Sequence, residues 1–466
     1  MHTLVVIPVW GEAFTELLVR HLLPSLADAG NLPALAGERR AELRLYTTPE
    51  DARRIRGEAI HATLERILPV RFVDIAELRT APRTDQGRFS TMNACHLHAM
   101  RAAWDRGAEL SFLAADNLLS DGSYARALEV FRDSGRALLA ASLPVCLESF
   151  APALERAHPR DAGGARRLAP RELMALALAH RHPMIPDLET PDLEIRGGFD
   201  AFKPMRWSLG AEGCLDHGWA GNPLLIRPRR LPETFQAVDV DYSARVLDSV
   251  EQLHFETDSD RVALIELMPR ASGREHRPQP YGFTPLRFAL GSEGLIFSEH
   301  CLHFARHGSR WHGGPCSTHW EACARRAGEA VDRTIAWMRF LAEPGQPVPD
   351  YPGAARETEA TLDLLYRLAR SGAAGPNPRQ VPHAWCNLYK LQAALGQRGE
   401  ALEAMAAVLD AEPPCPNPAR ALRVARAACR IGAWDMFRRA LDAARAIDPL
   451  DPRIAAVAGL AGGTGA

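Results

Sequence analysis

The chain has 466 residues, too many for one ordinary hydrophobic core, so two or three domains are expected. With 47% hydrophobic and 24% charged residues it has the composition of a globular protein, which excludes a disordered or fibrous chain. Lys and Arg number 55 against 57 Asp and Glu, and the formal net charge of -2 gives no global attraction to nucleic acid or to an anionic membrane.

Nine cysteines are scattered without a C-x-x-C pair, the pattern expected of a reduced cytosolic protein. The segment from Leu4 to Val9 is too short and lacks the basic flank of a secretion signal. No apolar run approaches the 18 or so residues of a membrane span. A cytoplasmic location without a transmembrane segment is therefore expected. Lys203 and Lys390 are the only lysines, an arginine bias of the kind a GC-rich bacterial genome produces.

Thr3 to Val9, TLVVIPV, is a β-branched run that ends in Pro8-Val9-Trp10-Gly11. An amphipathic helix through Phe14, Leu17, Leu18, His21 and Leu22 follows it. Strand, turn and helix at this point open an α/β unit, but no G-x-G-x-x-G marks a dinucleotide site. Leu43 to Thr47 is a second strand, and Thr48-Pro49-Glu50-Asp51 opens a helix with a cap, a proline in its first turn and acids at its positive end. Val70 to Val73 is a third. Arg79 to Ser90 reads as a polar loop with three arginines, and from it Arg88 and the first amides of the next helix are placed to approach a diphosphate. In that helix Met92, Cys95, Ala99 and Ala103 recur at three- and four-residue steps.

Leu110 to Ala115 is short and nearly all apolar, as a strand covered on both faces would be. Asp116 stands at its end, the edge at which open α/β sheets bind ligands. Asp121 or Ser123, in the turn that follows, is expected to cap the next helix. Ala137 to Val145 reads as one further strand. Phe150 to Arg196 reads as mainly helical, with a helix over Glu172 to His180 and an exposed loop over Asp187 to Gly198. A strand follows the turn at Trp219. Taken as extended, Phe235 to Tyr242 puts Asp239 and Asp241 on one side, either as a chemical pair or as a solvated face. Leu253 to Asp260 and Val262 to Met268 read as a hairpin. His300, His303 and His307 share a helical spacing with Cys301, His312, Cys316 and His319 nearby, yet the spacing fits none of the compact Cys/His zinc signatures.

Thr318 to Leu341 is a long amphipathic helix, and the proline-rich stretch 343–353 reads as a linker. Beyond it, Ala384 to Pro413 and Pro418 to Pro449 form two alanine-rich helical hairpins, with Gly399 and Gly432 a step of 33 apart. Neither buries its apolar face alone, so they are expected to stack on each other and on a helix over Glu357 to Arg370.

Helix, strand and then Ala114-Ala115-Asp116 resembles the middle of a GT-A glycosyltransferase, in which an Asp-x-Asp motif holds a divalent metal on the donor diphosphate. The opening strand with its Ile7-Pro8 is similar to the start of that family, and the two hairpins resemble tetratricopeptide repeats. The resemblance implies an α/β, Rossmann-like GT-A domain with a mixed, mostly parallel sheet over residues 1–315. A long helix and proline-rich linker over 316–352 and an all-α helical-repeat domain over 353–466 would follow. By the same resemblance Pro8, Val9, Trp10 and Glu12 line the nucleotide pocket, Thr47, Thr48 and Asp51 touch the nucleotide, and Arg88 and Asp116 face the diphosphate. A divalent metal, Mn²⁺ or Mg²⁺, would be held by Asp116 and a late histidine, His303, although Ala114 replaces the first acid of the motif. The catalytic base would be Asp239, Asp241 or Asp258. Such an enzyme transfers a sugar from a nucleotide-sugar donor to a protein or glycan acceptor, its helical repeats binding a protein partner or a second copy. The alternative is a non-catalytic protein of the same fold that acts as an adaptor through those repeats.

Overall fold

The computed structural model describes residues 1–78, 85–183, 205–233, 235, 237–272, 284–292, 299–342, 346–370, 381–410, 418–449 and 451–461. The chain divides into two compact units, 1–282 with 294–331, and 283–293 with 332–466. The division falls inside the helix Thr318–Ala342 rather than in the proline-rich stretch, and the short piece 283–293, flanked in sequence by the first unit, belongs with the tail.

In the first unit β1 (His2–Pro8) lies between β2 (Arg40–Thr47) and β4 (Glu109–Phe112), with β3 (Val70–Asp74) outside β2, and all four strands are parallel. Alternation along β1 accounts for its central position. Val5 and Ile7 enter a core with Leu18, Leu22 and Leu26, whereas Leu4 and Val6 face Cys95, Ala99 and Ala103. The centre of the sheet is therefore buried on both faces, while the edge strand β3 is partly exposed. The chain runs outward from β1 to β2 and β3 and then returns to place β4 on the other side. This reversal makes the carboxyl ends of β1 and β4 a topological switch point, the place where such sheets take ligands.

Beyond β4 the sheet continues. Leu110 and Ile226 exchange both backbone hydrogen bonds, at 2.8 and 2.9 Å, across an antiparallel bridge. Ile226 directly follows β10 (Asn222–Leu225), which pairs antiparallel with β6 (Ala137–Ala140), and β6 pairs parallel with β11 (Leu253–Glu256). One reversed strand thus interrupts an otherwise parallel order. A smaller sheet sets β12 (Leu264–Met268) between β5 (Asn117–Leu119) and β7 (Leu143–Cys146). A third, antiparallel sheet joins β8 (Met205–Ser208), β9 (Cys214–His217) and β13 (Ser309–Trp311).

Several sequence expectations are corrected here. The run Ala137 to Val145 is two strands in two sheets, broken at Ala141-Ser142. β11 and β12 do not form a hairpin, because each finds longer-range partners. The segment before Tyr242 is a turn leading into the helix Tyr242–Val246, so strand alternation does not relate Asp239 to Asp241. The first helix covers Glu12–Leu17 and Leu23–Leu26 with a π turn, Leu18–Leu22, between them, and Phe14 is 37% exposed. Residues 85–90, expected in a loop, belong to the helix Asp85–Trp104. The helix Ser123–Ser134 is capped by Gly122 in the left-handed region (φ 85°), with no side-chain cap, and the Asp121 carboxylate accepts the Gly30 amide at 2.7 Å instead.

The second unit is helical. Helices Val381–Ala394 and Arg398–Asp410 form one hairpin and Ala419–Arg430 and Trp434–Ile447 another, with Ala354–Arg370 packed against the first. Both tight turns use a glycine with positive φ, Gly396 at 75° and Gly432 at 66°, while Gly399 lies inside a helix. The repeat measured between equivalent turns is thus 36 residues, not 33. Leu388, Leu391, Ala404 and Met405 are buried in one hairpin, and Ala425, Ala428, Phe437 and Ala440 in the other. The piece 283–293 is tied in by the Leu286 amide, which donates to Glu357 Oε1 at 2.8 Å. No helix among the described residues is long and apolar enough to cross a membrane.

Candidate active site

Asp116 lies in the turn between β4 and β5, at the carboxyl edge of the parallel sheet and partly buried. The turn is shaped by Asn117, whose side-chain oxygen accepts the Ala114 amide at 2.9 Å. The Asp116 carbonyl accepts the Leu267 amide at 2.8 Å, which brings β12 alongside. Glu266, one residue earlier on β12, is the acid this arrangement brings in. Its carboxylate accepts from the Ser142 hydroxyl at 3.1 Å, so the break between β6 and β7 supplies its hydrogen-bond donor.

Burial, then repulsion from Asp116 and from Asp239, pushes the Glu266 carboxyl up to about 7, against the pull of the Ser142 hydrogen bond. Burial and repulsion from Asp241 also hold Asp239 above the usual carboxylate range. Glu266, in the middle of β12, therefore feels both Asp116, in the turn after β4, and Asp239, in the 237–242 turn. Such a set serves a proton transfer near neutral pH, or a hard cation favoured by oxygen ligands. Glu266 was not among the residues singled out from the sequence. The available signal was a lone acid inside the apolar run Leu264-Ile265-Glu266-Leu267-Met268.

The other sequence candidates divide between this edge and the framework. Thr48 caps the helix Pro49–Arg56, its hydroxyl oxygen accepting the Asp51 amide at 3.1 Å. The buried Asp51 carboxylate accepts from the Thr48 hydroxyl at 2.8 Å and from the Gly11 amide at 2.9 Å, which joins the loops after β1 and β2. Gly11 has φ 85°, a conformation that favours glycine at this turn. Val9 is buried in the core and its amide donates to Tyr46 O at 2.9 Å; Pro8 is likewise buried. Thr47 is buried as well, with its carbonyl accepting the Ile75 amide. Trp10 is half-buried, packed against the cluster that holds Tyr46 and Cys95. Glu12 is exposed and faces Arg54 at 3.6 Å. The side chain of Arg88 lies outside the described residues.

Of the three proposed bases, Asp239 is at the acidic edge. Asp241 accepts the Ala237 amide at 3.1 Å and pairs with Arg245 at 2.6 Å. Asp258 stands elsewhere, with Asp260 and His312, the only group of three among the described residues whose ligand atoms all lie within 4.8 Å of one another. His303 is not in that group. It sits on the helix Glu299–Arg306 with its ring 4.2 Å from that of His307, and burial, with repulsion from neighbouring cations, lowers its pKa to about 4.

Neither the protein-family models nor the curated proteins compared with this chain give a match. Its chemistry is therefore read from the site itself.

Proposed function

We propose that the chain is a glycosyltransferase-like enzyme that transfers a sugar from a nucleotide-activated donor at the carboxyl edge of the first unit's sheet. The observation that carries this reading is the set of acids around Glu266, with Asp116 and Asp239 acting on it, at the carboxyl edge of a sheet whose strand order reverses between β1 and β4. The resemblance of the opening strand and of the Asp116 turn to GT-A enzymes supports the same reading. In it Trp10 lines the base and ribose, and Asp116 faces the donor diphosphate.

Glu266, poised near neutral pH, takes the proton of the acceptor hydroxyl as that oxygen attacks the anomeric carbon and the bond to the nucleoside diphosphate breaks. The all-oxygen donor set fits Mn²⁺ or Mg²⁺, held by Asp116 together with the diphosphate. Such an ion would supply charge neutralisation on the leaving group.

A thermal-shift series of the full chain with UDP, GDP and CDP, with and without Mn²⁺ or Mg²⁺, tests the reading. A ligand at 100 times its Kd adds about 2.7 kcal/mol, a readily visible rise in Tm. Flat curves with every nucleotide favour the second reading, a non-catalytic adaptor acting through the helical hairpins, which the alanine at position 114 supports.

Asp116→Asn gives a residue-level check. The fold is expected to survive, because the side chains are nearly isosteric and the site opens at a strand end. Metal-dependent nucleotide binding is expected to weaken at least about tenfold, roughly 1.4 kcal/mol. Asp121→Asn is the control, since an asparagine oxygen still accepts the Gly30 amide. Equal binding by the Asp116 variant and the parent removes Asp116 from the site.

A further inference from the structure

We propose that Asp258, Asp260 and His312 form a separate binding site for one divalent transition-metal ion of the zinc type. Their ligand atoms lie within 4.8 Å of one another. His312 supplies the second observation. Its ring is buried, with Nδ1 2.5 Å from the Gly314 carbonyl oxygen and Nε2 3.1 Å from Asp258 Oδ1. A carbonyl only accepts, so Nδ1 carries the proton, and the neutral ring then presents its Nε2 lone pair to an ionised carboxylate. Two acceptors at that separation require a positive charge between them, either a second proton or a cation. Donation from the other ring nitrogen to a backbone carbonyl is the arrangement that orients a histidine for metal binding.

The ligands are held before any ion arrives. Arg310 donates its amide to Thr257 O at 2.6 Å, Ser259 donates to Arg310 O at 3.1 Å, and the His312 amide donates to Ser259 Oγ at 3.2 Å. These bonds fix the 257–260 turn against β13. The Asp260 amide donates to Asp258 Oδ1 at 2.9 Å, and Arg171 grips Asp260 with Nη2 at 2.7 Å and Nε at 3.0 Å. Arg171 is 58% exposed, so it holds the outer face of that carboxylate without closing the site. One imidazole and two carboxylates bind Zn²⁺ more tightly than Mn²⁺, and three protein ligands leave a fourth position for water.

This place is not the acidic edge around Asp116. The Leu267 amide meets Asp116 O at one end of the β5–β12 pairing and the Ser120 amide meets Ala263 O at the other, where the Val262 amide donates to Asp258 O at 3.2 Å. The two ends are about 13 Å apart at the rise of a strand.

Calorimetric titration of the chelator-treated full chain with Zn²⁺, and separately with Mn²⁺, tests the site. The expected result is one Zn²⁺ per chain, bound more tightly than Mn²⁺ and accompanied by a higher Tm. Asp258→Asn and Asp260→Asn are each expected to weaken Zn²⁺ at least tenfold, whereas Cys316→Ser leaves it unchanged. Asp260→Asn retains the contact between His312 and Asp258, so it decides the matter even if Asp258→Asn fails to fold. No Zn²⁺ binding, or equal affinity in the parent and in Asp260→Asn, overturns the proposal and leaves His312 as a doubly protonated clamp.

Discussion

Asp216→Ala is expected to destabilise the first unit by about 3–5 kcal/mol, the usual result of removing one partner from a buried ion pair. Arg206 on β8 and Asp216 on β9 are direct cross-strand partners, 1% and 3% exposed. Two parallel hydrogen bonds join them, Nε to Oδ1 at 2.7 Å and Nη2 to Oδ2 at 2.5 Å, and the Trp311 indole donates to Oδ2 at 2.9 Å. Alanine removes the carboxylate from a guanidinium that has no route to water, and takes the acceptor from a buried indole. Asp216→Asn retains an oxygen for Trp311 and is expected to cost less. The exposed pair Arg367 and Asp363 serves as reference, with a loss near 0.5 kcal/mol or less on truncation. Urea titration measures both. A loss under about 1 kcal/mol for Asp216→Ala contradicts the account.

That pair also shows why part of the fold could not be read from the chain. Its two residues are ten apart, and their opposition appears only once the register of β8 on β9 is known. The inner parallel strands were legible because burial on both faces leaves them mostly apolar, whereas β3, partly exposed at the sheet's edge, was legible from Val70, Phe72 and Val73. β1, β2 and β3 lie within a few residues of where hydrophobicity places them. The same rule failed at 137–145, where one apolar run serves two sheets and the break is marked only by Ser142 turning to Glu266. It failed again at 253–268, since adjacent strands in sequence resemble a hairpin until distant partners claim them.

The candidate site was half legible for a related reason. Asp116 announces itself as an acid at the end of a buried strand, a local signal. Glu266 joins it through a strand pairing that spans more than a hundred residues, and a period-two argument placed Asp239 with Asp241 on a strand that is a turn. His312 lay within a histidine- and cysteine-rich stretch, but the side chains it meets are carboxylates from the turn after β11.

Glu266→Gln is expected to separate the catalytic role of this acid from its structural cost. The folded protein holds the Glu266 proton more tightly than the unfolded chain, with a pKa of about 7 against the ordinary 4.5. Below pH 4.5 both states are protonated and the group contributes nothing. Between pH 4.5 and 7 the unfolded chain gives up its proton first, so stability falls as pH rises, and above pH 7 the full penalty is carried. At 1.36 kcal/mol per unit this amounts to at most about 3 kcal/mol. Glutamine cannot ionise, still accepts from Ser142, and offers an amide donor towards Asp116. The variant is therefore expected to equal the parent at pH 4 and to exceed it by up to about 3 kcal/mol at pH 8, as read by urea titration at the two pH values. If Glu266 is the base, sugar transfer or donor hydrolysis, followed as nucleoside diphosphate release from a panel of nucleotide sugars, drops about a hundredfold or more in the same variant. A variant that gains stability at pH 8 and retains its turnover leaves the acidic cluster real but moves the base to Asp239. One with the parent's own pH dependence of stability shows that Glu266 is not held above the ordinary carboxylate range, and the acid–base reading of this edge fails with it.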